Sequence, residues 1–149
     1  MRIDHVNIVV SDMERSLEFY EGVLGLTRGF EATLEGRWIE TVTGLTAVNA
    51  RCVFVEAAGS AVRFELLQYV SPAGEVLQAN ALPNTLGLRH IAFVVDDMEQ
   101  LLRRLKTAGV PLLSEPVEVP FDVGNMGRKR LCYFRDPDGV LLEAAAYSA

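Results

Sequence analysis

The sequence is poor in the residues that most often announce a function. It holds two histidines, two cysteines and one tryptophan in 149 residues. The cysteines, Cys52 and Cys132, stand 80 positions apart with no CxxC pair. That spacing excludes a disulfide framework and suits a reducing cytosol. Fourteen basic side chains face twenty acidic ones, a net charge of −6. Such a balance leaves no basic face to neutralise phosphates, so nucleic acid and anionic membrane surfaces are poor partners. No apolar run approaches the roughly 18 residues that cross a bilayer. The opening Met1-Arg2-Ile3-Asp4-His5 lacks the apolar stretch of a signal peptide. The expectation is a cytoplasmic protein acting on a small molecule, with no nucleic acid and no membrane involved.

What is present is a chain that is half apolar, long enough to bury one core over residues 1–149 as a single domain. Residues 3–10 read as a strand, rich in β-branched residues and alternating in polarity. Ser11-Asp12 offers an N-cap, and Met13, Leu17, Tyr20 and Leu24 follow at helical spacing, with Gly25 at the stop. Strands are expected near 26–33, 51–57 and 61–69, with a short helix or lid at Arg37–Leu45. Residues 70–87 read as a linker, with a helical turn near Val76–Ala79. Leu88–Val95 is again a strand. Asp96-Asp97 caps a helix whose apolar face is Met98, Leu101, Leu102, Leu105 and Ala108, ended by Gly109 and Pro111. Strands follow near 112–118, 129–135 and 140–147. Residues 115–130 read as a mobile loop, and Asp136-Pro137-Asp138-Gly139 as a turn.

The opening of the chain therefore recurs. His90, Val94-Val95, Asp97-Met98-Glu99 and Leu102 each follow His5, Val9-Val10, Asp12-Met13-Glu14 and Leu17 by 85 positions. Val140, Glu143 and Tyr147 each follow Val62, Glu65 and Tyr69 by 78. The first half thus carries about seven extra residues, most simply Arg37–Leu45. Each half, 1–69 and 88–149, reads as a βαβββ module, a unit whose sheet face calls for a second copy.

Four polar residues interrupt these apolar strands at equivalent places: His5 and His90, Glu65 and Glu143. One histidine on a strand is more often a satisfied structural residue, and one strand glutamate an edge residue. A His and a Glu repeated in both halves point further. A carboxylate amid apolar neighbours is costly unless paired, hydrogen-bonded or bound to a cation. Two imidazoles and two carboxylates make a suitable shell for Zn, Ni, Co, Mn or Fe.

These residues resemble the vicinal oxygen chelate (glyoxalase/bleomycin resistance/dioxygenase) superfamily over essentially the whole chain. The resemblance is carried by Asp4–Asp12, Phe19-Tyr20, Leu24-Gly25-Leu26, His90–Asp97 and Tyr133–Gly139 before Leu142-Glu143. It implies an α+β fold in which two tandem βαβββ modules form a cupped half-barrel mixed sheet with helices outside. It also implies a homodimer and one divalent metal on His5, Glu65, His90 and Glu143.

The family joins several chemistries, so membership alone names none. The match of a His-Glu-His-Glu set to lactoylglutathione lyase, and of Glu65-Leu66-Leu67-Gln68 and Gly87–Phe93 to methylmalonyl-CoA epimerase, favours proton transfer beside a carbonyl through an enolate or enediolate. The substrate would carry adjacent oxygens, as a thioester or hemithioacetal does. Glu65 or Glu143 would move the proton, and Glu35 or Glu40 could reach in from the extra segment. Asn7, Trp38, Arg63 and Phe121 are candidate substrate contacts, with plain packing the duller reading for Trp38 and Phe121. Arg63, Arg89 and Arg128-Lys129-Arg130 could hold an anionic group, although a charge cluster is more often solvated surface. An Fe(II) extradiol dioxygenase fits less well, since no histidine remains for proton transfer. A binding or drug-resistance protein without turnover is disfavoured by retention of all four ligands.

Overall fold

A computed structural model describes residues 1–75 and 82–148. The helical turn expected near Val76–Ala79 lies outside the described residues. The chain divides into two compact units, Met1–Leu77 and Gln78–Ala149.

In the first unit, strand β1 (His5–Val9) leads into helix α1 (Met13–Leu17) and a π-helical stretch, Glu18–Val23. Strand β2 (Thr27–Glu35), helix α2 (Arg37–Thr43), strand β3 (Asn49–Glu56) and strand β4 (Arg63–Ser71) follow. The sheet order is β1-β4-β3-β2, with β1 parallel to β4 and the other pairs antiparallel. The second unit repeats the plan with β5 (His90–Val94), α3 (Met98–Thr107), β6 (Val117–Asp122), β7 (Arg128–Arg135) and β8 (Leu141–Ser148). Its order, β5-β8-β7-β6, is the same, and β5 is parallel to β8. Each unit is thus a βαβββ module, as the repeat requires.

Helices α1 and α3 both start on an aspartate. Asp12 Oδ1 accepts from the Arg15 amide at 3.1 Å, and Asp97 Oδ1 from the Gln100 amide at 2.8 Å, meeting donors the first turn leaves open. They end differently. Gly109, at φ 69°, closes α3 with the Val110 amide on the Leu105 carbonyl and the Gly109 amide on the Lys106 carbonyl, a Schellman pattern. Gly25, at φ 78°, closes the first helix with bonds from Leu26 to Tyr20 and Gly25 to Glu21, each one residue wider. Gly109 follows Gly25 by 84 positions rather than 85. The π-helical stretch accommodates that one extra residue.

The helix side of each sheet is the core. Met13, Leu17 and Tyr20 are buried, as are Ile8, Val53, Val55, Phe64 and Leu66. In the second unit Met98, Leu101 and Leu105 are buried, with Cys132, Phe134, Leu142 and Ala144. Helix α2 lies in the stretch where the first half carries most of its extra residues. The turn at Asp136 forms as expected, with the Gly139 amide on the Asp136 carbonyl at 3.0 Å and Gly139 at φ 89°.

Two expectations require correction. Residues 115–130 are not one loop: Val117–Asp122 is the edge strand β6, paired to β7, and Gly124–Met126 is a single 3₁₀ turn. Pro120 and the glycines suggested a loop, but an edge strand tolerates proline because one side of its backbone needs no partner. Between 112 and 116 only Leu112 pairs, in an isolated bridge to Phe134. No helix among the described residues is long and apolar enough to cross a membrane.

Burial ranks the side chains by their cost of removal. Leu17→Ala should lower unfolding free energy by about 3 kcal/mol, the usual cost of a buried leucine. Val42→Ala, at a residue 76% exposed on α2, should change it by less than about 0.5 kcal/mol. Urea unfolding of the two variants checks this, and equal losses would contradict the assigned core.

Candidate metal centre

Strand pairing brings each predicted histidine to its predicted glutamate. Parallel pairing of β1 with β4 sets His5 beside Arg63 and Asn7 beside Glu65. Strand parity keeps all four on the face opposite the helix. His5 Nε2 lies 3.5 Å from Glu65 Oε2. In the second unit, β5 and β8 set His90 beside Leu141 and Ala92 beside Glu143, the same register. His90 Nε2 lies 3.3 Å from Glu143 Oε2. Donors on one divalent ion, each about 2.1 Å from it, stand roughly 3.0–3.4 Å apart, so each pair fits two places in one shell. Among the described residues no three His, Cys, Asp or Glu side chains gather as a metal site.

The third strand of each sheet completes the setting. Phe54 on β3 opposes Glu65, and Tyr133 on β7 opposes Glu143. The His5 ring meets Phe54 edge-on at 5.6 Å, and the His90 ring lies 5.3 Å from Tyr133. These aromatic walls are equivalent across the repeat. They pack against both imidazoles.

In the first pair a carboxylate holds His5 and neutral groups hold Glu65. Asp4 Oδ2 lies 2.8 Å from His5 Nδ1. A carboxylate can only accept, so Nδ1 carries a proton, the usual arrangement behind a metal-binding imidazole. Arg63 donates to the same Asp4 oxygen at 2.6 Å and lies over the Phe54 ring at 4.6 Å. The hydrogen bond with His5, then that with Arg63, lowers the Asp4 carboxyl below its ordinary range. The amide of Asn7 donates to Glu65 Oε2 at 2.9 Å, and the Cys52 thiol to Glu65 Oε1 at 3.5 Å. Burial, reinforced by Glu65, pushes the Cys52 thiol up to about 12.

The second pair is held by a cation. Glu143 is 3% exposed, and Lys129 Nζ lies 2.5 Å from its Oε1. That hydrogen bond raises the Lys129 ammonium above its ordinary range. Burial, then Glu143, raises the Tyr133 phenol. The position matching Asp4 is Arg89.

The other candidate residues divide. Arg63 and Asn7 stand on the site face but are bonded to Asp4 and Glu65. Trp38, 57% exposed on α2, and Phe121, 65% exposed on β6, are surface residues of their units. Glu40 accepts from the Ala47 amide at 2.7 Å, and Glu35 from Asn49 at 3.4 Å, so both brace their own loop. In the basic cluster, Arg128 pairs with Asp122 and Arg130 with Glu99 as surface charges do, whereas Lys129 turns to Glu143. Sequence reading missed Asp4, Cys52, Phe54, Tyr133 and the inward turn of Lys129. Strand parity alone would have separated Lys129 from its two arginine neighbours.

Comparison with known proteins adds four findings. The model of the Glyoxalase/Bleomycin resistance protein/Dioxygenase superfamily matches residues 2–144. Among individual proteins, the chain is 30% identical over 142 residues to the uncharacterized protein YaeR of Escherichia coli K12, covering 95% of this chain and 93% of that one. It is 28% identical over 146 residues to human mitochondrial methylmalonyl-CoA epimerase, covering 95% of this chain and 72% of the epimerase. Among solved structures, a glyoxalase family protein from Bacillus cereus superposes with a TM-score of 0.88 at 29% identity, over 100% of this chain and 95% of that one.

The buried, proton-retaining Cys52 gives a direct chemical test. A thiol at about 12 presents almost no thiolate at pH 8. A disulfide reagent should therefore label Cys52 in the folded protein at least 100-fold more slowly than in denaturant. Equal rates would show that the thiol is neither buried nor held against Glu65.

Proposed function

The chain belongs to the Glyoxalase/Bleomycin resistance protein/Dioxygenase superfamily, and on that premise we propose that it is a metal-dependent isomerase or lyase moving a proton on the carbon next to a carbonyl. The observation that carries this reading is the His–Glu pair built twice in the same register, at 3.5 and 3.3 Å. His5, Glu65, His90 and Glu143 are the proposed ligands of one divalent cation, Zn, Ni, Co, Mn or Fe. When bound, such a cation supplies Lewis acidity for the negative charge that appears on adjacent substrate oxygens.

The remaining work falls to the protein. Glu65 and Glu143 are the carboxylates placed to take a proton from carbon and return it, a contribution of about 10²–10⁴ in rate. Asp4 holds the His5 ring so that Nε2 faces Glu65. Phe54 and Tyr133 line the imidazoles with aromatic surface. Arg63 is bonded to Asp4 and Asn7 to Glu65, so both act on the substrate through the positions of those side chains. The substrate class is a small molecule with adjacent oxygens, such as an acyl thioester or a hemithioacetal. We place the enzyme in the cytoplasm, as a homodimer. The epimerase relative supports proton transfer over ring cleavage.

Two measurements decide. The wild type should bind about one divalent ion per chain, and His5→Ala and His90→Ala should each lose at least tenfold in affinity. Variants that hold metal as well as wild type would overturn the ligand set. Incubated in D2O with hemithioacetals and 2-substituted acyl thioesters, the loaded enzyme should place deuterium on the carbon next to the carbonyl. Glu65→Gln should slow that exchange at least 100-fold with little change in melting temperature. Oxygen uptake with catechols under Fe(II), without such exchange, would establish the dioxygenase instead.

A further inference from the structure

The repeat treats its two imidazoles differently on the side away from the glutamates. In the first unit the Asp4 carboxylate stands between two donors, His5 Nδ1 at 2.8 Å and the Arg63 guanidinium at 2.6 Å. In the second unit the matching positions hold Arg89, His90 and Leu141. An imidazole and a guanidinium again belong to this corner, but no carboxylate among the described residues joins them. Arg89 Nε is closed off from water, and among the described residues nothing accepts from it. Other arginines are provided for. Arg28, Arg51, Arg63, Arg128 and Arg130 each meet a carboxylate. Arg37 and Arg103 are exposed to water, whereas Arg89 is half-buried. The guanidinium lies along the backbone of the loop before β5: a Cβ on Gly87, whose φ is 109°, would stand 3.7 Å from Arg89 Nη2.

We propose that Arg89 holds an oxyanion of the substrate, a carboxylate or phosphate separate from the adjacent oxygens that meet the cation. The proposal rests on the function proposed above. A guanidinium presents a planar fork of donors that suits two oxygens of one such group. A buried donor without a protein acceptor calls for a partner from outside. The position suits that partner too. From the matching place Asp4 reaches the imidazole that follows it, so a group held by Arg89 lies at the start of β5, beside His90. The external oxyanion takes there the part that Asp4 takes in the first unit. A chain of net charge −6 repels anions at large, so capture needs a local cation of this kind. Arg63 does not compete for the group, because its own carboxylate is already in place. The substrate is thereby an acid as well as a chelator.

The test uses isotope-labelled, metal-free protein, so that only the chain's own cations meet the probe. Sodium malonate and inorganic phosphate are titrated in turn, at an ionic strength held constant with sodium chloride, and the arginine Nε–H signals are followed by NMR. At least one probe should shift the Arg89 signal saturably, with a dissociation constant below about 10 mM. The tighter probe names the group that the substrate carries. Arg89→Gln should weaken that binding at least tenfold, and Arg89→Lys, which keeps the charge but not the fork, at least threefold. Arg89→Lys carries the test if Arg89→Gln does not fold. Arg63→Gln should stay within about threefold of wild type, since that guanidinium is already paired. No saturable shift with either probe would overturn the proposal, and so would equal binding by wild type and the Arg89 variants. A wild type that takes up no zinc yet binds a probe through Arg89 sinks the metal reading and keeps the anion site. One that takes up zinc and ignores both probes sinks this inference alone.

Discussion

Everything in each module follows from the parallel pairing of its first and last strands. Parallel neighbours cannot be joined by a tight turn, so the chain must cross over, and the helix after the first strand begins that crossover. The helix then buries Met13, Leu17 and Tyr20 in one unit, and Met98, Leu101 and Leu105 in the other. The same pairing fixes the register that lays Asn7 against Glu65 and Ala92 against Glu143. A slip of one residue would turn both glutamates to the helix side and turn Phe64, Leu66, Leu142 and Ala144 away from it. An unpaired carboxylate there costs several kcal/mol. Register and site are therefore one constraint, and the helix face enforces it.

The repeat then diverges where function would ask it to. Both histidines meet an aromatic ring from the third strand, Phe54 or Tyr133. Beyond that, polar support is shared unequally. Asp4 and Arg63 brace His5, while a lysine reaches Glu143. Two copies of one module thus present chemically distinct His–Glu pairs. One has a strongly oriented imidazole and a lightly held carboxylate. The other has a carboxylate locked by charge.

The sequence made the fold and the four central residues legible for a specific reason. A polar side chain inside an apolar strand stands out, and here it stands out twice at one spacing, in a chain with only two histidines. The family assignment and the two βαβββ modules rest on the same signals. The supports were harder to read. Lys129 sits between two arginines that are ordinary surface charges, and only strand parity turns it inward. Asp4 acts on its own neighbour, a contact no periodicity encodes. The π-helical stretch was visible only as 84 positions between glycines where 85 separates the leucines. Strand β6 was obscured by Pro120 and the glycines after it, because an edge strand relaxes the rule that excludes proline.

The central proposal is that both imidazoles and both carboxylates hold one ion. X-ray absorption at the zinc edge of the loaded protein tests it most directly. The account predicts two imidazoles per zinc, the rest of the shell oxygen at roughly 2.0–2.2 Å, and no sulfur. A sulfur neighbour at about 2.3 Å would bring Cys52 into the shell. That result, or a single imidazole per zinc, would contradict the account.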